Sequence, residues 1–172
     1  MINQILRTTI YFVVLALLQV LVLNNIHYLR LATPFVYLYC LLKIPVGVSR
    51  SQVLFFSFLL GFVIDMFSNT PGMHASACTF AGFLREPLIR LMHGKDLPIG
   101  IYPSFYTFGY KGFFRYVLLF VLIHHLALFF VEALSFFDSY FLLLRIGASV
   151  LTTVLLIMVL ELFNFESQKI GE

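Results

Sequence analysis

The sequence is divided into six apolar stretches, joined by short polar connections except for a long one from Met92 to Gly112. This division constrains the fold more than any other feature. The stretches cover residues 5–23, 31–48, 52–66, 72–92, 113–134 and 140–163. Charged residues make up only 11% of the chain, whereas soluble domains have about 25%, so too few polar side chains are present to cover a soluble protein of this size. We therefore predict an all-α integral membrane protein. It would be a compact bundle of about six transmembrane helices, a single domain over residues 1–172 without a soluble domain.

The six stretches differ in how well they match a membrane span, which needs about 20 apolar residues. The first, fifth and sixth reach that length. The second has Pro34 near its start and Lys43 near its end, the third covers only residues 52–66, and the fourth is interrupted by Arg85-Glu86-Pro87. The sequence leaves open whether these three are short or tilted helices, or whether one of them is re-entrant.

The basic residues predict the orientation of the bundle. If the N-terminus lies in the cytoplasm and six spans alternate, 9 of the 11 Lys and Arg residues lie on the cytoplasmic side. These nine are Arg7, Lys43, Arg50, Arg85, Arg90, Lys95, Lys111, Arg115 and Lys169, and the two outside are Arg30 and Arg145. Because cytoplasmic loops favour Lys and Arg, we predict that both termini are cytoplasmic.

A polar turn joins the third and fourth stretches and is the strongest candidate for a functional site. The run from Gly61 to Ala75 reads GFVIDMFSNTPGMHA, so an apolar segment ends on Asp65, turns, and continues behind His74. Asp65 lies near the C-terminus of the third helix, where a carboxylate is unfavourable, and it needs a compensating partner. Either the polar side chains bind free backbone groups of a tight turn, or Asp65 and His74 bind a ligand or relay protons.

The fourth stretch combines small residues with a basic end. Ala77, Ala81 and Gly82 have the spacing that allows helices to pack closely in a membrane. Arg85, Arg90 and Lys95 follow. We expect this basic cluster at the cytoplasmic surface, where it anchors the helix on anionic lipid or docks a cytoplasmic partner.

The fifth stretch carries the adjacent pair His124 and His125 near its middle. Since neighbouring residues of a helix point about 100° apart, the pair is poorly placed to share a metal ion, for which a spacing of i, i+4 is usual. We predict hydrogen bonds between helices instead. No serine, histidine and acidic residue lie at matched membrane depth with an evident oxyanion site, and common cofactor motifs are absent. We predict no enzyme activity, cofactor or metal, and no nucleic-acid partner.

The polar turn resembles the signature of the rod shape-determining membrane protein MreD family. In that family a G-x-x-x-D segment precedes a short S-x-x-P turn and a G-x-H-A sequence that opens a helix of small residues. Here those positions are Gly61, Asp65, Ser68, Pro71, Gly72, His74 and Ala75. The family often has one more apolar residue between the proline and the glycine than this chain has. Hydropathy and the order of the stretches agree over nearly the whole chain.

The resemblance implies a multi-pass, non-catalytic scaffold of the bacterial inner membrane that belongs to the cell-elongation complex, which maintains rod shape and builds peptidoglycan. The implied partners are membrane lipid and the bitopic periplasmic protein MreC, with the actin-like MreB, the RodA glycosyltransferase and its transpeptidase nearby. The resemblance also implies a fold shared with substrate-binding subunits of vitamin transporters. The alternative is a transport subunit whose bundle encloses a small molecule around Asp65, His74, His124 and Arg145.

The orientation can be tested with reporter fusions. Fusions after Gly94 and at the C-terminus should both report the cytoplasm, and a fusion at Asn69 should report the periplasm, because that arrangement follows the distribution of basic residues. A periplasmic signal from the fusion after Gly94 would contradict the predicted topology.

Overall fold

A computed structural model of the chain describes residues 2–21, 23, 32–93, 97–133 and 139–170, and the described part is predominantly helical. The helices are α1 (Ile2–Leu21), α2 (Leu38–Leu42), α3 (Arg50–Ser68), α4 (Met73–His93), α5 (Phe105–Ala133) and α6 (Ser139–Ile170). The all-α prediction is confirmed for this part of the chain.

Three of these helices are long and apolar enough to cross a membrane. They are the segments Arg50–Ser68, Phe105–Glu132 and Tyr140–Asn164. A shorter apolar helix, Phe12–Leu21, lies within α1, and α4 is 21 residues long but carries three charged residues in its second half. The helices therefore suggest a membrane protein, whereas six spans and the orientation remain predictions.

The second apolar stretch, for which the sequence left open a short or tilted helix or a re-entrant segment, forms no long helix. Within residues 32–48, which we call the central segment, the only helix is the five-residue α2. The backbone N–H of Thr33 donates to Ser149 Oγ at 3.1 Å, and Lys43 near the other end contacts Glu161. Since Ser149 and Glu161 are separated by about 18 Å along α6 at 1.5 Å per residue, the central segment runs lengthwise through the bundle in an irregular conformation.

Side chains from the neighbouring helices satisfy the irregular backbone of the central segment. Gln19 of α1 donates from Nε2 to the carbonyl of Pro34 at 2.9 Å and accepts from the N–H of Val36 at 3.0 Å. The N–H of Phe35 donates to Thr153 Oγ1 of α6 at 3.0 Å. Non-helical backbone is tolerated at membrane depth only where protein buries it and pairs its polar groups, and these side chains meet that condition.

A buried ion pair fixes the other end of the central segment. Lys43 Nζ lies 3.0 Å from Glu161 Oε2, and both side chains are almost inaccessible. Tyr39 donates its hydroxyl to the same carboxylate at 2.6 Å, and Lys43 also donates to the carbonyl of Pro103 at 2.8 Å. A buried charge is costly unless it is paired and hydrogen-bonded, so this network ties the segment to α6 and to the chain before α5.

The fifth helix begins at Phe105 rather than at Phe113, where the apolar stretch was predicted to start. Phe105 and Phe108 are buried against the core, so the first turn contributes packing before the long apolar run. Gly109 has φ 68° and interrupts the regular helix there. The kink at Gly109 therefore separates this buried first turn from the long apolar part of the helix.

The ion pair gives a direct test of this packing. Glu161→Ala should lower the free energy of unfolding by about 3–5 kcal/mol, because it leaves the Lys43 ammonium buried without a counter-charge. Thermal unfolding of the purified protein in detergent measures the change. Glu86→Ala, which removes an ion pair to Arg90 at the surface, is the control and should cost at most about 1 kcal/mol. Equal losses would show that Glu161 has no special role.

Candidate functional site

The polar turn between α3 and α4 forms a compact cap in which Asp65 is the central acceptor. Asn69 ends α3 in the left-handed conformation with φ 54°, and Gly72 has φ 82° immediately before α4. Asp65 Oδ1 accepts from Thr70 Oγ1 at 2.9 Å and from the backbone N–H of His74 at 2.9 Å. The turn therefore brings the carboxylate of one helix onto the first residues of the next.

The second carboxylate oxygen completes this cap. Asp65 Oδ2 accepts from the backbone N–H of Ala75 at 2.9 Å, and His74 Nδ1 lies 3.0 Å from Oδ1. The free N–H groups of a helix N-terminus attract a negative charge. The start of α4 thus supplies the compensation that Asp65 needs at the C-terminal end of α3, as the interpretation of a backbone-bound turn required.

This arrangement orients a histidine but does not activate a nucleophile. The Thr70 hydroxyl and the Asp65 carboxylate both lie at the same ring nitrogen, His74 Nδ1, at 3.0 Å. A nucleophile–base pair needs the hydroxyl at one ring nitrogen and the orienting carboxylate at the other. Ser68 and Pro71, the other polar-turn positions of the family signature, are half-buried and exposed, respectively.

Gly61 allows the two helices to approach at the level of the cap. A Cβ atom added to Gly61 would lie 2.4 Å from the carbonyl oxygen of His74 and 2.5 Å from Ala75 Cα, which are backbone atoms that cannot move aside. A glycine four residues before Asp65 is on the same face of α3. Gly61 and Asp65 therefore act together, one by permitting contact with α4 and the other by binding it.

The small residues of α4 lie on its face towards the rest of the bundle. Ala77 and Ala81 are fully buried. A Cβ atom added to Gly82 would lie 2.2 Å from Ser57 Oγ of α3, whose hydroxyl donates back to the carbonyl of Val53. The α3–α4 pair thus has two close contacts, one near the start of α4 and one near its middle, that only small residues permit.

The two histidines of α5 bind different parts of the bundle, as predicted from their angular separation. His124 Nε2 lies 3.1 Å from the Tyr37 hydroxyl of the central segment, and 3.7 Å from Cys78 Sγ. His125 Nε2 lies 3.4 Å from Thr153 Oγ1 of α6. Among the described residues no group of three or more His, Cys, Asp or Glu side chains is arranged to hold a metal ion.

An open cavity of about 380 Å³ lies beside the cap, at what we call the hairpin end of the bundle. His74 and Thr33 line it together with Glu132 and Arg145. Arg145 Nη1 donates to Glu132 Oε1 at 2.9 Å, while Asp138, which the sequence places in the same region, is outside the described residues. Of the four residues proposed to surround a ligand, His74 and Arg145 reach this cavity, whereas Asp65 and His124 are buried behind it.

Arg85, the first residue of the predicted basic cluster, lies inside the bundle rather than at its surface. Its side chain is 1% exposed, and it donates to the backbone carbonyl of Ile44 in the central segment. Arg90 is exposed and pairs with Glu86 on the same helix, and Lys95 is outside the described residues. Arg85 is drawn inwards because the irregular chain after α2 exposes carbonyl groups that a neighbouring helix must satisfy.

Sequence reasoning missed two buried polar residues that organise the interior, Gln19 and Glu161. Each stands alone in a long apolar run. Polar groups at such positions face the interior of a bundle and pair there, so that isolation was the available signal. Their partners, the central-segment backbone and Lys43, were not evident because nothing predicted the irregular chain.

Comparisons with protein-family models, with characterised proteins and with solved structures find no match to this chain.

The cap predicts a graded effect of substitutions at Asp65. Asp65→Ala removes the acceptor for several donors, and each buried donor left unpaired costs about 1–3 kcal/mol. Asp65→Asn should cost less, because it keeps one carbonyl acceptor. Cys78→Ala, at a buried position of α4, is the control. Thermal unfolding in detergent should rank Asp65→Ala below Asp65→Asn, and both below Cys78→Ala. If Asp65→Ala matched the control, the cap would contribute nothing to stability.

Proposed function

We propose that this protein is a non-catalytic membrane scaffold of the bacterial cell-elongation complex, in the manner of the MreD family that its hairpin resembles. Its direct partner would be MreC, through which it positions the wall-synthesis enzymes and is connected to MreB. The proposal places the protein in the inner membrane with several spans. Its first support is the set of residues in the polar turn that matches the family signature.

The observation that carries the scaffold role is the filled interior of the bundle. Tyr37, Leu38 and Leu42 of the central segment have no exposed surface, and they occupy the space between the long helices that a substrate chamber would need. Together with the cap and the glycine contacts of α3 and α4, this packing supports a rigid body. A rigid body suits a protein that acts by holding a partner in position.

A second candidate, a substrate-capture subunit of a transporter, is favoured by the cavity at the hairpin end. Its volume of about 380 Å³ falls within the usual range of small-molecule sites, and the ion pair of Glu132 and Arg145 offers both charges to a ligand. The cavity is open, however, and it lies at the end of the bundle rather than within it. This geometry ranks the second candidate below the first.

Two matched glycine substitutions test the scaffold role. Gly82→Leu should weaken copurification of MreC from detergent, because the added side chain would force α3 away from α4. Gly147→Leu, on α6 with no atom near the added carbon, should leave copurification unchanged. His124→Gln should be milder than Gly82→Leu, since glutamine can still pair with Tyr37.

Cell shape and ligand binding separate the two candidates. Depletion of a scaffold of the elongation complex should turn rod-shaped cells round, whereas depletion of a transport subunit should be corrected by supplying the transported compound. Native mass spectrometry of the purified protein would reveal a tightly held small molecule. Such a molecule, lost on Arg145→Gln, together with no recovery of MreC, would overturn the scaffold proposal.

A further inference from the structure

A second cavity, of about 510 Å³, lies between α3 and α4 at the end of the bundle opposite the hairpin. Three arginines line it, Arg50, Arg85 and Arg90, and we call it the arginine pocket. Glu86 is the acidic residue in its lining. With three positive side chains and one negative side chain, the pocket carries a formal charge excess of two and would attract an anion.

Arg85 is a buried cation whose charge is not balanced by the described residues. Its Nη2 donates to the carbonyl of Ile44 and, at 3.5 Å, to that of Leu42. Its Nε is buried without a hydrogen-bond partner, and within the described ranges no carboxylate pairs with it. Carbonyl dipoles orient a guanidinium but do not neutralise it, and a buried charge without a counter-ion is costly.

The other two arginines present donors at the mouth of the pocket. Arg50 is exposed at the first turn of α3, its guanidinium lies 4.0 Å from the centroid of the Phe83 ring, and no described carboxylate pairs with it. Stacking on an aromatic ring holds a guanidinium flat and leaves its edge donors available. Arg90 uses Nε to bind Glu86 at 2.9 Å, which partly neutralises Glu86.

The height of the pocket indicates which anion it meets. Helix α3 has 19 residues from Arg50 to Ser68, a length of about 28 Å at 1.5 Å per residue, which is close to the thickness of the hydrocarbon core. Arg50 therefore lies at the edge of the core, at the level of lipid phosphates. Phosphate groups match the planar fork of arginine and favour a helix N-terminus. We propose that the arginine pocket binds a phosphate group at the membrane surface.

The experiment measures binding to the full-length protein in detergent. The probes are dioctanoylphosphatidylglycerol, the phosphate-free dioctanoylglycerol, and inorganic phosphate, each titrated while the thermal unfolding midpoint and lipid adducts in native mass spectra are recorded. Phosphatidylglycerol should raise the midpoint, and dioctanoylglycerol should not. Arg50→Gln and Arg90→Gln, which change exposed side chains, should each raise the half-saturating concentration roughly tenfold, as expected for one lost charge-assisted hydrogen bond.

Arg115→Gln is the matched control. Arg115 of α5 is exposed, and it lines a different groove together with Leu91 and Met92 of α4. It should leave the half-saturating concentration unchanged. An effect equal to that of Arg50→Gln would indicate general surface attraction and overturn the proposal. So would an equal midpoint shift with dioctanoylglycerol, or no shift with either phosphate probe.

The source of the phosphate is also resolved by these titrations. Stabilisation by phosphatidylglycerol alone identifies a lipid headgroup, and stabilisation by inorganic phosphate as well identifies a site that accepts a soluble phosphate compound. Arg85→Lys keeps the buried charge but loses the planar fork. It should clearly raise the half-saturating concentration of phosphate, and it should lower the unfolding midpoint of the unliganded protein only slightly. The inference is independent of the elongation-complex proposal, since it requires no protein partner.

Discussion

The hydrogen-bonding demand of the central segment dominates the interior of this protein. An irregular chain at the centre of a bundle carries backbone N–H and C=O groups that its own conformation leaves unpaired, and such groups are tolerated at membrane depth only where the protein pairs them. Gln19, Ser149, Thr153 and Arg85 each supply side-chain atoms to this backbone. These polar side chains come from three different helices, α1, α4 and α6, and all of them meet the same need for backbone hydrogen bonds.

The same constraint places charges at defined heights. Lys43 lies near the end of the central segment and forms a buried ion pair with Glu161 of α6. At the hairpin end, Asp65 is stabilised by the N-terminus of α4. The charges of the two carboxylates are stabilised differently. A cation pairs with Glu161, whereas backbone dipoles and hydrogen bonds stabilise Asp65. Neither is left for solvent, so both contribute to assembly of the bundle.

The two ends of the bundle have different electrostatic character. At the hairpin end Glu132 and Arg145 neutralise each other beside His74, whereas the arginine pocket has an excess of positive charge. A packed body between two chemically different ends suits a protein that contacts one class of molecule on each side of a membrane. The phosphate proposal uses the arginine pocket, whereas the cavity at the hairpin end bears on the transport candidate.

Much of the architecture followed from the sequence alone, because apolar runs of sufficient length have few alternatives to helices. The apolar patterns of α3, α5 and α6 predicted helices, the small residues of α4 predicted its packed face, and the unfavourable position of Asp65 predicted that a partner must exist. The sequence also separated His124 from His125, since their angular offset follows from helix geometry. These features are local, and local pattern is sufficient to predict them.

Only the tertiary structure decided the path of the central segment and everything that depends on it. Residues 32–48 are mostly apolar, and Pro34 and Pro45 disfavour regular structure only locally. Whether the remainder is helical depends on partners from α1 and α6. Arg85 looked like a surface residue because its sequence neighbours are charged, yet the carbonyls of the central segment drew it inwards. Long-range pairing of backbone and side chains is not encoded in local periodicity, and that is why the interior could not be predicted from the sequence.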